Sequence, residues 1–250
     1  MAEIKLNADE RIDQLYSKDV KIIQSDAVFS FSLDAVLLSE FAKAPKGGHG
    51  LTVDLCAGNG AVGLFFAKKA AGTITEVEIQ PRLADMAQRS IVLNDLDGRM
   101  NVLNIDLADT LEHIKPSAAE TVLCNPPYFV DEPQSTKNPN EHLAIARHEI
   151  KTNLATITDV ASRLLKTNGK VYFVHRPDRF LDLIDELRAH RLAPKRIQMV
   201  HSKIDREANM VLVEAIKDGR PGGVRYLEPL IVYNADGSYT KHVHEALYGE

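Results

Sequence analysis

From residue 50 onward, short apolar runs alternate with stretches in which apolar residues recur every three or four positions. Residues 51–55 form the first strand-like run, followed by Gly58-Asn59-Gly60 and a helical stretch over 62–71. Residues 73–79 alternate as a second strand. Pro81 then opens a helix to residue 96, with Leu83, Met86, Ala87 and Ile91 at helical spacing. Third and fourth strands are predicted at 101–105 and 121–124, and a helix over 154–165 that ends with Asn168-Gly169 as its C-cap. A fifth strand at 171–175 and a proline-led helix over 177–190 follow. Strands alternating with helices predict a parallel sheet covered on both faces. The last two strands, 197–202 and 209–215, are separated only by the short polar segment 203–208, so they are predicted to pair antiparallel as a hairpin.

The flanks read differently. Residues 20–23 and 27–31 suit a small hairpin, and 33–42 a helix that Ser32 can cap. After 216 comes a Gly- and Pro-bearing tail with an edge strand predicted at 230–233. The expected organisation is an accessory segment (1–49), an α/β domain (50–216) and a C-terminal tail packed on it (217–250), without repeats or low-complexity tracts.

Composition narrows the class. With 250 residues, 44% hydrophobic and 26% charged, the chain suits a soluble globular protein. No run approaches the roughly 18 apolar residues of a membrane span. The N-terminus lacks the basic-then-apolar pattern of a signal peptide, so a cytoplasmic protein without membrane association is expected. A net charge of −5 argues against a protein wrapped in nucleic acid but leaves room for a local basic face. Cys56 and Cys124 each end an apolar run without a Cys or His at ligand spacing, which suits buried reduced thiols and no metal.

The chemistry concentrates at strand ends. Asn125-Pro126-Pro127-Tyr128 follows the fourth strand. Two prolines remove two backbone donors and hold the chain extended, leaving carbonyls, an amide and an aromatic ring to face a ligand. That set suits a planar substrate bearing an NH2 group; a rigid turn closing the strand is the other reading. Asp54-Leu55-Cys56-Ala57-Gly58-Asn59-Gly60 ends the first strand with glycines that permit close backbone approach, and Gly63 completes G-x-G-x-x-G. Glu78 ends the second strand, where a carboxylate can accept both hydroxyls of a ribose. Glu76 is expected on the opposite side of that strand and is the poorer candidate. Asp106 ends the third, placed to accept from an adenine amino group.

This ordered set resembles the class I S-adenosylmethionine-dependent methyltransferases, and more narrowly their NPPY-bearing, amino-methylating branch. The resemblance covers residues 50–215 and implies a Rossmann-like fold: a seven-stranded, mostly parallel sheet ending in an antiparallel hairpin. The whole chain is similar to the tRNA1(Val) adenine-N6-methyltransferase family. The features behind that are Glu10-Arg11-Ile12-Asp13, Ser32 through Leu38, Glu78-Ile79-Gln80-Pro81, Ala146-Arg147-His148-Glu149 and Val200-His201-Ser202. Where relatives often have Thr before the Asp of the second segment, this chain has Ser32-Leu33-Asp34.

The resemblance implies S-adenosylmethionine held by Asp34, Asp54, Cys56, Ala57, Gly58, Gly60, Glu78, Ile79, Asp106, Leu107 and Asn125. Catalysis falls to Asn125, Pro126, Pro127 and Tyr128, and the substrate is a tRNA adenine next to the anticodon. The Asn125 oxygen and Pro126 carbonyl would orient the exocyclic amine, and Tyr128 would stack on the base. Phe129 is a second apolar wall or a core residue; Arg147 and His148 contact the RNA or form a surface cluster. The loop 131–146 is a lid or decoration. Lys203 and Arg206 are the leading phosphate contacts, with Lys217, Arg220, Arg225, Lys18 and Lys21 behind them. Other readings are methylation of guanine N2 in rRNA or of a protein glutamine, a non-catalytic tRNA- or cofactor-binding protein, and an NAD-dependent oxidoreductase, which gives NPPY no role. A monomer is slightly favoured.

Overall fold

A computed structural model of the chain describes residues 4–28, 32–128 and 152–249. Its strand-like runs assemble into one nine-stranded sheet. β3 (Leu51–Leu55) is flanked on one side by β4 (Thr73–Val77) and β5 (Met100–Leu103) and on the other by β6 (Ala119–Cys124) and β7 (Leu165–His175), all parallel. β9 (Ala208–Lys217) joins antiparallel to β7, and β8 (Leu192–His201) antiparallel to β9. The hairpin expected from the short polar turn is therefore present. β10 (Arg225–Tyr226) and β11 (Leu230–Ile231) then pair parallel with β8, raising the strand number from the expected seven to nine. Two-residue strands leave no periodicity in a sequence, which is why only the second was foreseen.

Strict alternation sends successive side chains of the central strands to two cores. Leu123, Tyr172 and Val174 join Phe65 and Phe66 on one face, beneath α1 (Leu33–Phe41) and α2 (Ala61–Ala67). Val122, Cys124, Val171 and Phe173 join Leu183 and Ile157 on the other, beneath α5 (Leu154–Leu164) and α6 (Phe180–Ala189). The short α4 (Thr110–His113) lies beside them. Each fully buried Phe or Leu contributes roughly 1.5–3 kcal/mol, so the two layers together carry the fold. No helix among the described residues is long and apolar enough to cross a membrane.

Three local expectations need correction. The small N-terminal hairpin pairs β2 (Val20–Ser25) with β1 (Glu10–Leu15), not with 27–31. Only Leu15 of β1 is buried, so that strand has no apolar face to betray it; 26–28 form a turn, and 29–31 lie outside the described residues. Ser32 occupies the N-cap of α1, but its hydroxyl donates to the Asp34 carboxylate and accepts from no helix N–H. Asn168-Gly169 does not cap α5, which ends at Leu164. Asn168, at φ 66°, lies in a bulge of β7, where residues 166–169 separate the Ala119–Leu165 pair from the Thr121–Lys170 pair. Residues that tolerate positive φ serve bulges as readily as caps.

The N-terminal hairpin is anchored to α3 (Pro81–Leu93). Ile23 packs on Leu83 and Met86, and the Arg89 guanidinium grips Glu10 with two bonds of 2.7 and 2.8 Å. At the other terminus α7 (Lys241–Tyr248) buries Val243 in the same core as Leu64 and Val20. The Arg89 guanidinium holds the Glu10 carboxyl down at about 2, from an ordinary 4.5. A depressed carboxylate adds stability above its unfolded value and loses it as pH falls through its folded one. Arg89→Met should therefore lower the urea midpoint at neutral pH, and should flatten the loss of stability between pH 4.5 and about 2; an unchanged acid limb would place the anchor elsewhere.

Candidate active site

At the carboxyl end of β3 the chain turns sharply. Cys56, Gly58 and Gly60 all take positive φ (58°, 59° and 84°), and α2 begins at the next residue. A non-glycine residue in that conformation, here Cys56, is the kind of strain that collects at binding loops. The loop is held by carboxylates from the sheet. Asp54 Oδ2 accepts from the Gly63 N–H at 2.9 Å. Glu78 Oε2 accepts from Gly58 N–H at 2.8 Å and Oε1 from Gln80 N–H at 2.9 Å. Ala57 N–H bonds the Val77 carbonyl, and Asn59 reaches across to the Ile23 carbonyl of β2.

A third acid sits beneath. Glu76 is fully buried, and it lies so close to the helix start that a Cβ on Gly60 would stand 2.7 Å from its Oε2 and one on Gly63 2.4 Å from its Oε1. The expectation that Glu76 points away from the site is wrong: residues two apart on a strand share a face, and Asp54 is its direct partner across the β3–β4 ladder. Neither Glu76 oxygen, nor Asp54 Oδ1, has a hydrogen-bond partner. Burial pushes the Asp54 carboxyl up to about 8, against the Gly63 N–H that favours its anion, and pushes Glu76 well above the usual range, with Asp54 and Glu78 adding to it. Burial also raises Glu78, partly offset by the N–H groups of Gln80 and Gly58.

Along the same edge, the Asn104 amide donates to the Glu78 and Ile79 carbonyls at 2.8 and 3.1 Å and so fixes the segment that carries Glu78. In the sequence Asn104 carries no signal beyond its position directly after β5. Asp106 starts a single 3-10 turn and accepts from Ala108 N–H at 3.0 Å through Oδ1. Leu107 is buried under it, in the core beneath α5. Ile79 is half-buried and Ala57 buried. Cys56 is also half-buried rather than buried, because the turn lifts it off the sheet, while Cys124 is fully buried and its thiol is pushed up by burial and by Cys56 next to it.

Asn125-Pro126-Pro127-Tyr128 leaves the end of β6, the neighbour of β3 on the other side. Both prolines are buried, and the Tyr128 hydroxyl lies between the Asp34 carboxylate and the Asn125 side-chain amide. The Tyr128 ring also meets His175, centroids 5.5 Å apart and tilted by 58°. His175 was not foreseen. Its Nδ1 accepts from Arg176 N–H at 2.8 Å, so Nε2 carries the ring hydrogen; burial lowers its pKa to about 4 and keeps it neutral. Phe129, Arg147, His148 and the loop 131–146 lie outside the described residues.

The candidate RNA contacts do not lie together. Lys203 and Arg206 lie in the β8–β9 turn, beyond His201 and Ala208 and at the same edge of the sheet as His175. Lys217 pairs with Leu192 at the opposite end, buried, with its ammonium on the Ser162 hydroxyl of α5, which leaves it no exposed charge for the expected contact. Lys18 is tied to Glu40.

The raised carboxylates set a pH dependence. A group whose folded pKa exceeds its unfolded value stabilises below the unfolded one and loses that contribution as pH rises through the folded one. For Asp54 the window runs from 3.8 to about 8. Without ligand, the urea midpoint should fall as pH rises through this window, and Glu76→Gln, which removes one buried acid, should flatten the fall. An equal slope in the variant would mean Glu76 is not held protonated.

The residues at this edge fit a nucleoside that carries positive charge. Asp54 Oδ1 has no hydrogen-bond partner, and a Cβ on Gly58 would meet nothing within 4 Å, so the loop is open to close approach. Asp54, Glu78 and Asp106 supply acids, while residues 54–63 contain no lysine or arginine to meet a pyrophosphate. The chain is 26% identical over 231 residues to the tRNA1(Val) (adenine(37)-N6)-methyltransferase of Shewanella loihica, covering 90% of this chain and 93% of that one. It is 26% identical over 235 residues to the enzyme of the same name from Porphyromonas gingivalis, covering 89% of each. The crystal structure of a predicted O-methyltransferase from Agrobacterium tumefaciens superposes with a TM-score of 0.68 at 23% identity, over 86% of this chain and 96% of that one. The model of the methyltransferase small domain matches residues 19–190, and the chain belongs to that family.

Proposed function

We propose that this protein transfers a methyl group from S-adenosylmethionine to the N6 amine of an adenine in tRNA. The observation that carries the reading is the placement of Asn125-Pro126-Pro127-Tyr128 at the end of β6, one strand from the Asp54–Gly63 loop, with Asp54 Oδ1 unpaired. When bound, S-adenosylmethionine supplies an activated methyl group whose leaving group is a neutral thioether. Glu78 and Asp106 would hold its nucleoside and the loop 56–60 its amino-acid end, where buried acids favour a cation.

The rest of the chemistry is positioning. The lone pair of an adenine amine is delocalised into the ring. Hydrogen bonds from that NH2 to the Asn125 oxygen and the Pro126 carbonyl aim it and favour a more tetrahedral nitrogen. The same oxygens stabilise positive charge developing on nitrogen in the transition state. His175 does not act as a base, because its Nδ1 is occupied and its Nε2 carries hydrogen; the proton on the methylated nitrogen is acidic enough to leave to water. A loop adenine is cheaper to turn out than a paired one, and the names of both relatives specify adenine 37 of a tRNA. Lys203 and Arg206, on the NPPY side, would meet the RNA backbone. The reaction belongs in the cytoplasm, with its tRNA.

Label transfer from S-adenosylmethionine to unmodified tRNA tests the reading. Asn125→Ala should lower kcat on the order of 100-fold while cofactor Kd stays within a few-fold. A loss of cofactor binding in that variant would make the motif structural. Glu78→Ala should weaken cofactor binding, and unchanged affinity would place the ribose elsewhere.

A further inference from the structure

The Tyr128 hydroxyl poses a counting problem. It has one hydrogen, yet it lies within hydrogen-bonding reach of Asp34 Oδ2 and of Asn125 Oδ1. One hydrogen cannot serve two acceptors. Asp34 cannot turn away, because its other oxygen accepts from Ala35 N–H at 3.0 Å and from the Ser32 hydroxyl in the first turn of α1. Carboxylates are also the stronger acceptors, so the tyrosine hydrogen belongs to Asp34. Burial and the Asp34 charge both hold the Tyr128 phenol protonated, so that hydrogen is always present. The remaining arrangement that satisfies all three groups turns the Asn125 amide over, with its NH2 donating to the Tyr128 oxygen.

We propose that Asp34 is a positioning residue that acts through the Tyr128 hydroxyl to turn the Asn125 carbonyl oxygen toward the acceptor amine. The proposal rests on the methyl-transfer reading above and deepens it. It gives Asp34 a task other than holding the cofactor, and it gives Tyr128 a task its ring alone would not require. The relay crosses the molecule from the first turn of α1 to the end of β6, so the N-terminal segment becomes part of the catalytic geometry. In an Asp34→Asn variant the new amide can donate to the Tyr128 oxygen. The tyrosine hydrogen is then free to go to Asn125 Oδ1, which withdraws the oxygen the substrate needs.

The test compares wild type, Asp34→Asn, Tyr128→Phe and the double variant for kcat and for S-adenosylmethionine Kd by calorimetry. The acceptor is whichever of tRNA, rRNA or a protein glutamine the wild type methylates, since any exocyclic or amide NH2 needs the same oxygen. Each single variant should lose about 10- to 100-fold in kcat with Kd within about threefold, and the double variant should lose no more than the worse single. Three results overturn the relay: Asp34→Asn weakening Kd at least tenfold with kcat within twofold, losses that multiply in the double variant, or Tyr128→Phe with wild-type kcat. The last decides the matter even if Asp34→Asn fails to fold. A wild type that methylates glutamine or rRNA but not tRNA overturns the adenine reading and leaves the relay to be judged on that acceptor; one that methylates none overturns both.

Discussion

Backbone N–H groups at the carboxyl edge of the sheet end on carboxylates that the sheet has already buried, and the geometry of the candidate site follows from that. Gly63 N–H is spent on Asp54, and Gly58 and Gln80 N–H on Glu78. The two acids come from neighbouring parallel strands, so the loop between β3 and α2 and the start of α3 are both tied to rigid elements. Buried acids are costly. The cost appears as carboxyls pushed upward at Asp54 and Glu76, and Glu76 makes no hydrogen bond that repays it. Strong perturbation of this kind is what binding and catalytic sites display.

The glycines follow from the acids rather than the other way round. Gly60 and Gly63 are small because Glu76 occupies the space a Cβ would need, whereas Gly58 faces open space and is free to meet a ligand. A G-x-G-x-x-G string is thus built from two different constraints, one of packing and one of access. The N-terminal hairpin joins the same network through Asn59 and the Ile23 carbonyl, and through the Arg82 contact with Asp9 and Ser25.

The central sheet was legible in the sequence because its strands are buried on both faces and bounded by glycine or proline; β3 and the start of α3 fall where the pattern put them. Strand ends were legible too, which brought Asp54, Glu78, Asp106 and Asn125 to one edge. What stayed hidden had no periodic signature. β1 buries a single leucine, β10 and β11 are two residues long, and Asn168 serves a bulge with the residue types of a cap. Glu76 was lost to a misassigned face. Asn104 and His175 were lost because their roles lie in partners across the sheet edge, Glu78 and Tyr128, which no local pattern names.

That this methyltransferase acts on an adenine amine oriented by Asn125 can be measured by incubating the protein with unmodified tRNA and S-adenosylmethionine deuterated at the methyl group, then digesting the RNA to nucleosides for mass spectrometry. N6-methyladenosine carrying the heavy methyl should appear, from one tRNA species and from a single position. Label on guanine N2, on ribose, or on no nucleoside while the cofactor still binds would contradict it.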